Sequence, residues 1–191
     1  MKAKVLITGG SGLLAVNWAL SIRNDYAVTL LLHHKKISLA GVDTDIVSLD
    51  SLNECISMLS KHQPDIVIHT AGLTDVEKCE SNPDLAQEVN VDLAKNIAIA
   101  CSDKGVKLVH ISTDHLFSGN QELATEEAET NPINNYAKTK LLGEQRALEN
   151  CKDALVIRTN FFAWGAKYRQ SFSDIILNKL KNNESIDLFS D

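Results

Sequence analysis

Short apolar runs recur along the chain at Val5-Leu6-Ile7, Val28 to Leu32, Ile46-Val47, Ile66-Val67-Ile68, Val106 to Ile111 and Ala154 to Ile157. Most are rich in β-branched residues, and such continuous runs mark strands covered on both faces, as in a parallel sheet. Between them lie stretches with helical character at about 12–23, 51–61, 85–103 and 136–150. In the third, Leu85, Val89, Leu93, Ile97 and Ala100 are spaced to share one face. Ser81-Asn82-Pro83 opens that helix, and Asn131-Pro132 precedes the next long one. Strand and helix alternate throughout, which predicts an α/β fold built on a doubly wound parallel sheet. A further helix is expected at about 172–181, and Ile186 to Phe189 reads as the start of another strand.

Composition narrows the class. The 191 residues suit one large domain with its own core, and 44% hydrophobic with 23% charged residues is ordinary for a folded globular chain. Nineteen Lys and Arg stand against 25 Asp and Glu, so a net charge of −6 supplies no basic footprint for nucleic acid. Cys55, Cys79, Cys101 and Cys151 form no C-x-x-C pair and are expected to be reduced core thiols. The apolar run before Gly9 and Gly10 is too short for a signal peptide or membrane helix, and a cytoplasmic location without membrane contact is the expectation.

The first strand-to-helix turn carries the first chemical signal, Thr8-Gly9-Gly10-Ser11-Gly12-Leu13-Leu14-Ala15. Glycine allows a sharp turn and close approach to a pyrophosphate, while the following helix N-terminus offers free N–H groups to an anion. Gly9 and Gly12 fit these two tasks, Ala15 supplies the small residue needed for helix packing, and Ser11, Leu13 and Leu14 complete a dinucleotide site. A P-loop is excluded because no Lys occurs between Lys4 and Lys35; a nucleophile elbow is excluded because Leu13 occupies its second glycine position. After the second strand stand His33-His34-Lys35-Lys36 where an NAD site would place a carboxylate. His34 and Lys35 therefore predict NADP, with NADPH preferred over NADH. Asp50 is a candidate acceptor for the adenine amino group, and Ala71-Gly72 are small enough for the cofactor to pass.

The second signal is Thr113 at the end of the fifth strand, followed by Tyr136 and Lys140 one helical turn apart. Hydride addition to a ketone produces an alkoxide that needs a proton, and a phenol with a reference pKa of about 10 donates more readily beside an ammonium group. Tyr136 is thus the candidate acid, Lys140 its electrostatic partner and ribose-holding residue, and Thr113 the holder of the carbonyl oxygen. His33 and His34 sit together on a turn and the other histidines are scattered, so no metal ligand set is assigned.

With these motifs the chain resembles the extended short-chain dehydrogenase/reductase family, and within it the dTDP-4-dehydrorhamnose reductase group. The resemblance is carried by the glycine turn, His69 to Glu80, Val89-Asn90, Ser112 to Gly119, Pro132 to Lys140 with Gly143-Glu144, and Arg158 to Phe161. It implies a Rossmann fold, NADPH-dependent reduction of the 4-keto group of a nucleotide-activated deoxysugar, and catalysis by Thr113, Tyr136 and Lys140. It further implies that Thr74, Val76 and Phe161 line the sugar-nucleotide pocket. His115 departs from the Tyr usual in that group. Residues 1–191 are expected to form the NAD(P)-binding domain, with 160–191 beginning a substrate-binding portion most of whose C-terminal lobe is missing. Another epimerase, dehydratase or reductase of the family, and a non-catalytic NADP-binding regulatory subunit, remain alternatives; a homodimer remains open.

Overall fold

The computed structural model describes residues 2–119 and 123–187. Six strands, β1 (Lys4–Thr8), β2 (Ala27–Leu32), β3 (Asp43–Ile46), β4 (Ile66–His69), β5 (Lys107–Thr113) and β6 (Leu155–Thr159), form one sheet in the order β3-β2-β1-β4-β5-β6. Every neighbouring pair is parallel. The helices are α1 (Leu13–Ile22), α2 (Leu52–His62), α3 (Val76–Ser81), α4 (Pro83–Gln87), α5 (Leu93–Lys104), α6 (Asn135–Asn150) and α7 (Phe172–Lys181). This is the doubly wound, Rossmann-type sheet that the alternation of elements predicts.

Period-two geometry explains the unbroken apolar runs, because alternate residues of each inner strand serve opposite layers. Leu6, Leu31, Val67 and Leu108 pack with Cys55, Met58 and Leu59 of α2 and Ile97 and Cys101 of α5. Ile7, Leu30, Ile68 and Ile111, at alternate positions of the same strands, turn to the other face, where Ala15 and Ala19 of α1 cover them. Each wholly buried aliphatic side chain contributes roughly 1.5–3 kcal/mol. All four cysteines are buried and free, and burial pushes the Cys101 thiol up to about 12.

Three expectations need correction. The helix expected over 85–103 begins with Pro83 and is interrupted by a π-helical turn at Glu88–Asp92. There the buried Asn90 accepts from Leu73 N at 2.8 Å and donates to Leu73 O at 3.1 Å, so a long-range clamp selects the wider turn. Strand β3 starts at Asp43, before the Ile46-Val47 signal, because it is a polar edge strand with no apolar face to announce it. Ile186 and Asp187 adopt no strand; Leu188 and Phe189 lie outside the described residues.

Candidate active site

The strand order reverses between β1 and β4, which opens a crevice beyond the carboxyl ends of the strands. The glycine turn forms its floor. Gly9 has φ +64°, and a Cβ there would stand 2.9 Å from Ala71 Cα, so both backbone shape and close approach require glycine. A Cβ on Gly10 would lie 2.8 Å from Leu30 Cβ, a steric role the sequence pattern did not reveal. Gly12 caps α1 without a side-chain hydrogen bond, and the first turn holds no acid, leaving the helix N-terminus available to an anion. Ala15 is fully buried against the sheet, as close helix packing requires.

A cleft of about 610 Å³ runs across this floor. Gly9, Ser11, Gly12, Leu13 and Leu14 line one part of it, and Ala71 and Gly72 form the facing loop. Ala71 N donates to Thr8 Oγ1 at 3.2 Å, which holds that loop to the end of β1. Asp50 lines the cleft; it sits beyond β3 and accepts from Ser48 Oγ at 2.7 Å. Thr74, Val76 and Phe161 also reach the cleft. His34 and Lys35 are on the exposed turn after β2 but outside the lining, where His33 takes their place. Lys35 Nζ instead lies 4.5 Å from the centroid of the Tyr168 ring.

Thr113, Tyr136 and Lys140 converge on the cleft. Thr113 ends β5, is buried, and accepts from His115 N at 3.2 Å, so its hydroxyl is held by the short 3₁₀ turn Asp114–Leu116. Asn134 caps α6 by accepting from Ala137 N at 2.8 Å, and this start places Tyr136 and Lys140 against β5. Lys140 Nζ donates to Ile111 O at 2.6 Å. Burial pulls the Lys140 ammonium down to about 8, partly opposed by Glu144, whose carboxylate also pairs with Arg158 at 2.5 Å. Burial pushes the Tyr136 phenol above its usual value, while a hydrogen bond with Thr113 pulls the other way. The net shift of Tyr136 is thus upward, opposite to the depression expected from Lys140: burial dominates, the ammonium engages a backbone carbonyl, and the phenol sits with Cys79 and Ala86.

Several residues of the site were given no role by the sequence reading. Glu88, Asp92 and Asn96 reach the cleft from the π turn and α5, and Thr70, Asn160 and Arg169 reach it from loops. Asn90 reaches from the π turn to Thr139 Oγ1 at 3.0 Å, tying α6 to the Leu73 loop. A buried Asn inside an apolar helical stretch was its available signal. Beneath the site, His69 and His110 are paired in register on β4 and β5 with ring centroids 5.3 Å apart. Burial lowers His69 to about 3 and carries His110 well below its usual value, so both are neutral.

Sheet order, glycine turn and the Thr-Tyr-Lys triplet together define an extended short-chain dehydrogenase/reductase. More narrowly, the chain belongs to the RmlD substrate binding domain family, which matches residues 3–191. It is 35% identical over 132 residues to dTDP-4-dehydrorhamnose reductase of Salmonella typhimurium, covering 69% of this chain and 44% of that protein. It is 36% identical over 157 residues to methionine adenosyltransferase 2 subunit beta of Bos taurus, covering 81% of this chain and 46% of that one. A crystal structure of dTDP-4-dehydrorhamnose reductase from Bacillus anthracis in complex with NADP superposes with a TM-score of 0.80 at 28% identity, over 97% of this chain and 62% of that one. The chain thus spans about half the length of the curated relatives it matches.

Proposed function

We propose that this chain carries the NADPH site and proton-transfer residues of a reductase acting on the 4-keto group of a nucleotide-activated deoxysugar. The observation that carries the reading is the convergence of Thr113, Tyr136 and Lys140 on the cleft that the glycine turn floors. The fit to a dinucleotide rests on the sharp turn that Gly9 makes at φ +64°, the uncapped α1 N-terminus and a volume within the roughly 300–1,000 Å³ typical of small-molecule sites. The relationship to dTDP-4-dehydrorhamnose reductases supports the substrate class, and the NADP complex of one of them supports the cofactor.

In this mechanism the glycine turn holds the pyrophosphate, Ala71 and Gly72 border the cofactor, and Lys140 holds the nicotinamide ribose. Held there, the cofactor would be the hydride source for the reduction. The Thr113 hydroxyl orients the carbonyl oxygen, and Tyr136 donates its proton to that oxygen as negative charge develops. The Lys140 ammonium then stabilises the phenolate left behind. Thr74, Val76 and Phe161 form the sugar-nucleotide wall, His34 and Lys35, exposed on the turn after β2 outside the cleft lining, would have to turn toward the cleft to meet the cofactor's 2′-phosphate, and residues 160–191 begin the substrate-binding portion. The reading places the protein in the cytoplasm; no helix among the described residues is long and apolar enough to cross a membrane.

The test is NADPH oxidation with a dTDP-4-keto-6-deoxysugar, comparing the protein with Tyr136→Phe. The expected result is turnover that the variant lacks, with NADPH binding retained. A second reading, a non-catalytic NADP-binding subunit, draws on the similarity to methionine adenosyltransferase 2 subunit beta. Cofactor binding without turnover, and a partner enzyme indifferent to Tyr136→Phe, would favour it.

A further inference from the structure

The segment after β6 turns back over the glycine turn. Asn17 Nδ2 donates to Trp164 O at 3.1 Å, and Tyr168 Oη donates to Ser11 O at 3.1 Å. Arg169 N donates to Ala166 O at 2.9 Å, closing a tight loop. Its base is anchored where Gly165 N and Ser171 N both donate to Asp174 Oδ2 at 2.8 Å. This strap brings Arg169 into the cleft beside Ser11 and Leu13.

Among the described residues, no carboxylate lies within ion-pair distance of Arg169 and its guanidinium makes no hydrogen bond. This exposed cation shares the cleft lining with Ser11, Gly12 and Leu13, at a helix N-terminus that has neither an acidic residue nor a side-chain cap. Both features favour the same kind of ligand, and a planar guanidinium matches phosphate oxygens two at a time. Lys35 is differently placed: its ammonium lies over the Tyr168 ring, on the turn that follows β2.

We propose that Arg169 binds the pyrophosphate of the dinucleotide from above, opposite the N–H groups of the glycine turn, and thereby determines affinity for NADH and NADPH alike. This rests on the dinucleotide reading of the cleft. The anion is then held between two chain segments more than 150 residues apart, Gly9–Gly12 below and Arg169 above. Because Asn160 and Phe161 belong to the same strap and also line the cleft, the pyrophosphate contact positions one wall of the substrate side.

The experiment is calorimetric titration of NADH and NADPH into the protein, Arg169→Ala, Arg169→Lys and Lys35→Ala. Arg169→Ala is expected to weaken both nucleotides by the same factor, about tenfold or more, the loss expected for a charge-assisted contact. Arg169→Lys should recover only part, since an ammonium lacks the two-point geometry. Lys35→Ala should weaken NADPH more than NADH. Loss confined to NADPH in Arg169→Ala would reassign Arg169 to the 2′-phosphate and overturn the proposal, as would unchanged affinity for both. If the unmodified protein binds neither nucleotide, the dinucleotide reading itself falls, and this inference with it.

Discussion

Helices α2 and α7 begin alike and end up in different surroundings. Ser51 and Glu54 form a reciprocal capping box at the start of α2, and Ser171 and Asp174 form one at the start of α7. Both helices are amphipathic and carry basic residues in their last turn. Yet α2 buries Cys55, Met58 and Leu59 under the sheet, whereas α7 has no buried residue and leaves Phe172 57% and Leu180 62% exposed. Local signals are enough to define a helix, but its contribution to stability comes from the surface it covers. The same division separates the inner strands, which hold the site rigidly, from the strap after β6, which approaches it with few buried contacts.

The comparison breaks first, and most visibly, on core truncation. Leu59→Ala in α2 is expected to lower the unfolding free energy by about 2–5 kcal/mol, while Leu180→Ala in α7 stays within about 0.5 kcal/mol. Urea unfolding of both variants measures this directly; similar losses would mean that α7 is packed as α2 is.

Acid tests the inner region next. His69 and His110 bind protons less readily when folded than when unfolded, so the unfolded state is favoured as pH falls below about 6.5. For His69 the loss continues toward its folded value of about 3. Stability should drop by up to about 1.4 kcal/mol per pH unit for each histidine. Melting curves at pH 7.5, 6.5 and 5.5 would show this as a falling Tm, and a flat Tm over that range would contradict the buried neutral pair.

The site itself supplies a pH effect of comparable size on rate. With Lys140 near 8, its ammonium is lost on the alkaline side, and kcat/KM for ketone reduction should fall about tenfold per pH unit above that point. Tyr136 is held above its usual value and does not account for a fall there. A profile level to pH 9.5 would separate Lys140 from the reaction.

The smallest contrast lies in the caps. Ser51→Ala should reduce global stability by about 1 kcal/mol. Ser171→Ala should increase amide exchange across α7 and the strap while leaving the global transition nearly unchanged. Equal effects on global unfolding would couple α7 to the core more tightly than its exposure indicates.

The inner strands, the glycine turn and the Tyr136–Lys140 pair were legible from the chain because each depends on neighbours a few residues away. Apolar runs follow from burial on both strand faces, the turn at Gly9 from backbone freedom, and the Tyr-Lys pair from helix periodicity. The polar edge strand β3 left no such pattern, and the π turn at Glu88–Asp92 depends on Asn90 bonding to Leu73, 17 residues away. The electrostatics of the triplet also came from packing: Ile111 O receives the Lys140 ammonium, and burial moves Tyr136 in the direction opposite to that expected from a neighbouring cation. Arg169 reaches the glycine turn only because the strap folds back across it, with Tyr168 meeting Ser11 over a separation of 157 residues. Sequence by itself thus determined the elements and the chemical types at the site, through short-range sterics and periodicity. Tertiary structure alone decided which distant groups meet and how burial sets their charge, since solvation and long-range contact exist only once the chain has folded.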